Sequence, residues 1–259
     1  MNLVLIFFVT LLGSTLTFFS GFGLGTIILP LFLVFFAPEL AIPAAALVHF
    51  SNSIFKFVYV FRYIHFPILV RFGIPAVIAA FFGAELLKLF GELPEIYSYS
   101  IQKHTFHVSG INFMVGCLII LFTWFESSKR IKSIQIKGNH LILGGVLSGF
   151  FGGLSGHQGA LRSLFLKKTP LTKEQLVGTS NAISLGIDIV RIVIYLQMIS
   201  LTKLFEGEQK YFIGIGIAGA FLGASLGNKL LKKVTLNFVQ KIISVLLFVF
   251  GLLLIFGII

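Results

Sequence analysis

The chain has 259 residues, 57% of them hydrophobic and only 11% charged, with a formal net charge of +11. Soluble domains carry about 25% charged residues. A mean hydropathy of +1.01 is more apolar surface than a soluble fold of this size can bury, so a polytopic helical membrane protein is predicted. The single cysteine, Cys117, excludes an intrachain disulfide and a Cys metal cluster, and neither a metal nor a cofactor is expected. The excess of 20 Lys and Arg over 9 Asp and Glu reads as loop charge that orients the chain, not as a nucleic-acid surface.

In chain order, apolar segments are predicted at about 2–19, 21–36, 41–61, 68–90 and 110–125. The start, Met1-Asn2-Leu3, lacks a positively charged n-region and reads as a retained first helix rather than a signal peptide. A polar loop over 126–139 follows. Further apolar segments lie at about 141–154, 156–166, 176–196, 211–231 and 239–259. The expected organisation is a first membrane repeat over 1–125, a cytoplasmic linker over 126–139 and a second membrane repeat over 140–259.

The two halves echo one another. Ser20-Gly21-Phe22 matches Ser148-Gly149-Phe150, Ser51-Asn52 matches Ser180-Asn181, and Arg62 falls on Arg191. Ala80-Phe81-Phe82-Gly83-Ala84 resembles Ala220-Phe221-Leu222-Gly223-Ala224. The shared order and near-constant spacing point to an internal duplication.

Each half opens on a glycine-dense stretch, Ser20 to Gly25 and Ser148 to Gly159. Each glycine costs a helix about 1 kcal/mol relative to Ala, so these stretches should interrupt it. In a membrane such a break is tolerated only where protein or a wet cavity receives the freed backbone groups. As one helix the first pair of segments would be roughly 50 Å long, against a hydrocarbon core of about 30 Å, so it should double back. If the second pair doubles back too, thirteen Lys and Arg fall inside against four outside; if it crosses once, the split is eight against nine. The positive-inside rule favours doubling back. The expected fold is therefore all-α and polytopic, with about eight to ten membrane segments and two homologous halves of inverted topology. Each half starts with a glycine-broken helix or re-entrant hairpin.

Broken half-helices present free N–H groups and the positive end of a dipole, a suitable site for an anion. On this basis Gly21, Gly23, Gly25, Gly153 and Gly156, with Ser155, His157 and Gln158, are expected at a substrate site. The competing role for these glycines is close helix packing. Asn52, Lys56, Tyr59 and Arg62 share one face of the following helix, and Asn181, Asp188 and Arg191 occupy the same phase in the second half. Asn52, Ser180 and Asn181 are expected to donate hydrogen bonds, and Lys56, Arg62, Asp188 and Arg191 to attract charge or couple transport. Arg62 could equally snorkel to the interface, and Asp188 could simply neutralise Arg191. His157 is either an oxyanion donor and proton relay or a structural group. Arg162 could guide anions, but it reads more simply as part of the inside basic cluster. His104 and His107 lie in a polar loop and are weak evidence for a metal.

The Gly-rich start of each half, the short Pro- or Lys-bounded turns over 38–43 and 168–173, and the Ser-Asn pair in the next helix resemble the TauE/SafE family, also called the sulfite exporter or DUF81 family. The resemblance spans nearly the whole chain. It implies a secondary transporter, chiefly an exporter, for sulfite, organosulfonates or related sulfur-containing or carboxylate anions, multi-pass in the cell's inner (plasma) membrane. The expected partners are that small anionic substrate and the lipid bilayer, and a homodimer is compatible with the sequence. The departure from the usual glycine run is His157-Gln158 at the second break. Two other classes remain open: an intramembrane enzyme acting on a lipid phosphate, and a non-transporting membrane subunit.

Overall fold

A computed structural model describes residues 2–20, 24–102, 104–128, 140–230 and 237–258. The glycines Gly21 and Gly23, the loop charges Lys103, Lys129, Arg130, Lys132, Lys137, Lys232 and Lys233, and most of the expected linker over 126–139 lie outside the described residues. The helices are α1 (Asn2–Ser20), α2 (Gly25–Leu33), α3 (Pro38–Val60), α4 (Phe66–Gly91, with a π-helical turn at Leu69–Gly73) and α5 (Gly110–Ser127). They continue as α6 (Leu141–Ser155), α7 (Gly159–Leu166), α8 (Lys173–Met198), the single turn α9 (Leu201–Leu204), α10 (Gln209–Leu230) and α11 (Asn237–Ile255). Among the described residues, α3, α4, α8 and most of α10 are long and apolar enough to cross a membrane, and shorter apolar helices surround them. The protein is a multi-pass helical membrane protein.

One segment differs from expectation. The polar stretch after α4 forms an antiparallel hairpin, β1 (Glu95–Ile101) with β2 (His104–Ser109). Its alternating Tyr97, Tyr99 and Phe106 stack on one another, and Tyr97 and Tyr99 donate to the carbonyls of Ile255 (3.0 Å) and Phe256 (2.7 Å), pinning it to the end of α11. His107 pairs with Glu95 at 2.8 Å on an exposed face, which accounts for it without a metal.

The chain doubles back between α1 and α2 and again between α6 and α7. A Cβ at Gly13 of α1 would touch Leu24 and Ile27, so α2 lies back along α1. Ser148 of α6 donates to the Gln158 carbonyl (3.0 Å), and a Cβ at Gly144 would meet Phe165 (2.5 Å), so α7 lies back along α6. The reversal at the second break uses Gly156 at φ +80°, a backbone state that L side chains rarely adopt.

The halves interlock. Small residues on α6 (Gly145, Gly149, Gly153) ride on the carbonyls of Phe72, Ala76 and Ala80 in α4, and the two helices run parallel. In the same way Gly219, Gly223 and Gly227 of α10 ride on α1 at Phe7, Leu11 and Thr15, again parallel. The stripes permit the close backbone approach that membrane interfaces favour. By contrast α3 runs antiparallel to α8 (Ser53 against Asp188, Val60 against Gly178), and α5 antiparallel to α11 (Gly116 against Gly251 and Ile255, Ile120 against Gly251). These contacts gather Arg62, Arg71, Lys167, Lys168, Lys173 and Lys229 at one end of the bundle. The other end carries Lys88, Lys203 and Lys210 beside Glu39, Glu92, Glu95, Glu206 and Glu208. By the positive-inside rule the basic end is cytoplasmic.

The stripe makes a sharp prediction. At Gly149 a Cβ would fall on the Ala76 carbonyl, whereas one at Gly214 meets nothing within 4 Å. Gly149→Ala should lower the apparent stability of purified protein by about 1–3 kcal/mol, read as a lower melting temperature in detergent, and Gly214→Ala should melt at or above wild type. Equal melting of the two variants would mean the stripe is not a packing surface.

Candidate functional site

The two breaks meet inside the bundle. A Cβ at Gly25, the first residue of α2, would lie 3.3 Å from the Gly156 carbonyl oxygen and 3.3 Å from His49 Cδ2. Around this crossing the chain builds a buried polar knot on Asp188, which is fully buried in α8. Asp188 accepts from His49 Nδ1 at 2.7 Å, from Gln158 Nε2 at 3.1 Å and, more weakly, from Ser53 Oγ at 3.4 Å. Arg191 Nη2 lies 2.9 Å from Oδ1, the oxygen that Gln158 also reaches, while His49 and Ser53 bond Oδ2. A carboxylate only accepts, so the His49 proton sits on Nδ1. Gln158 in turn accepts from Arg162 at 2.8 Å. Asp188 thereby ties α3, α8 and the second break into one unit.

Next to the knot, on the side of the basic end, is a cavity of about 70 Å³. On this measure one water needs about 10–15 Å³, so there is room for a few waters or one small oxyanion. Its walls carry Lys56 and Arg162, with Lys167 at the exposed mouth. Asn52, Asn181, Ser180 and Ser184 add neutral polar groups, and His49 forms the boundary with the knot. No carboxylate lines it among the described residues. Among the described residues Lys56 Nζ has Thr17 Oγ1 at 3.5 Å, the Asn52 oxygen at 3.3 Å and the face of the Phe18 ring, 5.4 Å from its centroid. That orientation of Asn52 is assigned from its neighbours: its nitrogen then donates to Ser14 Oγ (2.7 Å) and the Ala220 carbonyl (3.3 Å), so both ends of the amide are satisfied. Asn181 Oδ1 is buried without a hydrogen-bond partner among the described residues.

Charge is the distinctive feature. Lys56, Arg162 and Arg191 are buried with Asp188 as the carboxylate near them. Uncompensated buried charge is costly, and an anion in the cavity would balance the excess. Toward the acidic end the same interior is filled instead by Ile28, Leu29, Phe32, Val48, Ile194 and Tyr195.

The structure places the expected residues unevenly. Asn52, Lys56, Ser180 and Asn181 surround the cavity. Asp188, Arg191 and Gln158 form the knot behind it. Arg62 lies on the exposed surface over Tyr63, away from both, as a snorkelling residue would. Gly153 faces α4, and its carbonyl accepts from the Tyr195 hydroxyl. Gly25 and Gly156 pack against each other, and a Cβ at Gly156 would strike the Arg191 guanidinium. The His157 ring is stacked on Phe122, nearly coplanar at 10° with centroids 5.2 Å apart, and its Nδ1 lies 2.9 Å from Ser155 Oγ. The described glycines of the breaks thus bring helices together, while side chains line the hollow. Sequence reasoning passed over His49 and Ser53 and assigned Arg162 to the surface cluster. A signal existed for the first two: His49, Asn52, Ser53 and Lys56 fall at i, i+3, i+4 and i+7, one polar face.

A family model described as "Sulfite exporter TauE/SafE" matches residues 6–254. No curated protein and no solved structure matches.

Removing the carboxylate of the knot should be expensive. Asp188→Asn leaves Arg191 buried without its counter-charge, and a loss of about 3–5 kcal/mol is expected. Asp188→Asn should melt well below wild type in detergent, and Asp188→Asn combined with Arg191→Gln should recover part of the loss. An unchanged melting temperature for the single variant would show that the pair does not hold the breaks together.

Proposed function

The chain belongs to the sulfite exporter TauE/SafE family, and from that premise we propose that it carries one sulfite-sized oxyanion in the cavity beside the crossed breaks. The family is one of sulfur-anion transporters, so the chain is a membrane transporter and not an enzyme. What supports the finer reading is the charge imbalance: Lys56 and Arg162 line a closed-in hollow free of carboxylates among the described residues. In this reading the two cations attract the substrate, and the amides of Asn52 and Asn181 and the hydroxyls of Ser180 and Ser184 orient its oxygens. The hollow's size favours an inorganic oxyanion over a longer sulfonate.

The state described has its cavity in the basic-end half and a packed apolar barrier in the acidic-end half. It corresponds to the conformation loaded from the cytoplasm. Efflux of an anion is favoured by an inside-negative potential, by about 2.3 kcal/mol per charge per 100 mV. The matched contacts α1 with α10 and α6 with α4, and the antiparallel pairing of α3 with α8 and α5 with α11, support an inverted repeat over 1–125 and 140–259. Alternation then consists of loosening the barrier around α2 while the basic end closes. His49 touches both the cavity and Asp188, so it replaces His157 as the residue through which proton coupling would run.

Efflux of radiolabelled sulfite from proteoliposomes tests this. Lys56→Gln and Asn181→Ala should each cut the initial rate about tenfold or more, the cost of losing a hydrogen bond to a charged group. Arg62→Gln should stay within about twofold of wild type, since Arg62 lies outside the cavity. Equal rates in all four proteins would remove the cavity from the transport path.

A further inference from the structure

A second, larger cavity of about 360 Å³ lies at the basic end, apart from the substrate cavity. It is formed where the π-helical turn of α4, the start of α6 and the turn after α7 come together. Arg71, in the π-helical turn, and Lys168, in the turn after α7, line it. Both are exposed, and neither has an ion-pair partner among the described residues. His65 and His140 complete the polar wall, and His65 Nδ1 is a buried atom with no hydrogen-bond partner among the described residues. Among the described residues no Asp or Glu lines it. The walls are held firmly: the His65 amide donates to Thr179 Oγ1 at 2.9 Å, and Thr169 Oγ1 closes its turn on the Leu166 carbonyl at 2.6 Å.

The floor is apolar, made of Ile68, Leu141 and Phe165. On either side the helices present Phe66, Val70, Ile142 and Leu143, all largely exposed and, in a membrane protein, facing acyl chains. The cavity therefore joins a cationic rim to a lipid-facing apolar surface at the level of the headgroups. The interlocked packing supplies a comparison at the opposite end. There the start of α1 and the start of α10 leave a notch of about 310 Å³ lined by Asn2, Leu3, Glu208, Tyr211 and Phe212. Among the described residues that notch has a carboxylate and no Lys or Arg on its wall. Of these two cavities, the one at the basic end has cations on its described walls.

We propose that the cavity between α4, α6 and α7 is a binding site for the phosphate headgroup of an anionic phospholipid of the cytoplasmic leaflet, held by Arg71 and Lys168. A basic pocket between membrane helices on the cytoplasmic side suits a phosphodiester, and the apolar floor accepts the upper part of its chains. The bound lipid bridges the basic end of α4 to the α6–α7 hairpin, so it also braces the second break. This site is independent of the transported anion.

The test is native mass spectrometry of delipidated full-length protein offered equimolar phosphatidylglycerol and phosphatidylcholine. Wild type should retain phosphatidylglycerol preferentially. Each of Arg71→Gln and Lys168→Gln should cut the preference about fivefold, the effect of one basic residue at the membrane surface. Lys88→Gln and Lys210→Gln, at the acidic end, should leave it unchanged and control for general surface charge, and Arg71→Lys should keep most of it, which separates lost charge from lost fold. Equal retention of the two lipids by wild type would overturn the proposal. So would full displacement of phosphatidylglycerol by soluble glycerol phosphate, which would mark a free phosphate-ester site without a role for the chains.

Discussion

The Asp188 carboxylate is the constraint on which the interior depends. It is fully buried, and it is tolerable there only because His49, Gln158 and Arg191 reach it from α3, the second break and its own helix. Those contacts draw the two interruptions against each other, Gly25 onto the Gly156 carbonyl. A chain with two broken helices would otherwise face the cost of unpaired polar groups in hydrocarbon. Here the interruptions share one polar knot, and the glycines let the backbones come close enough to form it.

The knot also divides the interior. On one side lie apolar side chains of α2, α3 and α8, and on the other a hollow whose charged walls are cationic. Asp188 is already engaged by Arg191 and His49 and reaches Arg162 through Gln158, so it offsets the cations of the hollow only in part. The site is left with an electrostatic deficit that a small anion can fill. Because His49 stands between the hollow and the carboxylate, arrival of an anion changes the electrostatic environment of the knot directly. Under the proposed function, loading of the cavity and the packing of the breaks are linked through His49.

Much of this was legible in the sequence. Composition and segment lengths carried the helical membrane fold, and glycine density located both reversals. The polar face of the helix after each break located Asn52, Lys56 and Asn181, because a polar group on an apolar spanning helix has nowhere to turn but inward. What local spacing could not show was which neighbour each glycine meets. Gly153 has the same local signature as a cavity glycine, yet it faces the α4 backbone at Ala80, a contact distant in sequence that periodicity does not encode. Arg162 reads as surface charge because it sits close in sequence to Lys167 and Lys168, and the reversal at Gly156 turns it inward. His49 shares the polar face of Asn52, Ser53 and Lys56, but spacing alone does not reveal its partner, Asp188, which lies 139 positions on. The tyrosine-bearing hairpin after α4 was read as a loop, since its strands are short and its support comes from the far end of the chain.

The position of the anion decides the account most directly. Selenite is a close analogue of sulfite with a heavy atom that scatters anomalously, and crystals of the wild-type protein soaked in it can be measured at the selenium edge. The account predicts one dominant peak in the cavity, within contact distance of the Lys56 ammonium and the Arg162 guanidinium. A dominant peak at the backbone of the breaks, or a cavity without anomalous density while another site is filled, would contradict it.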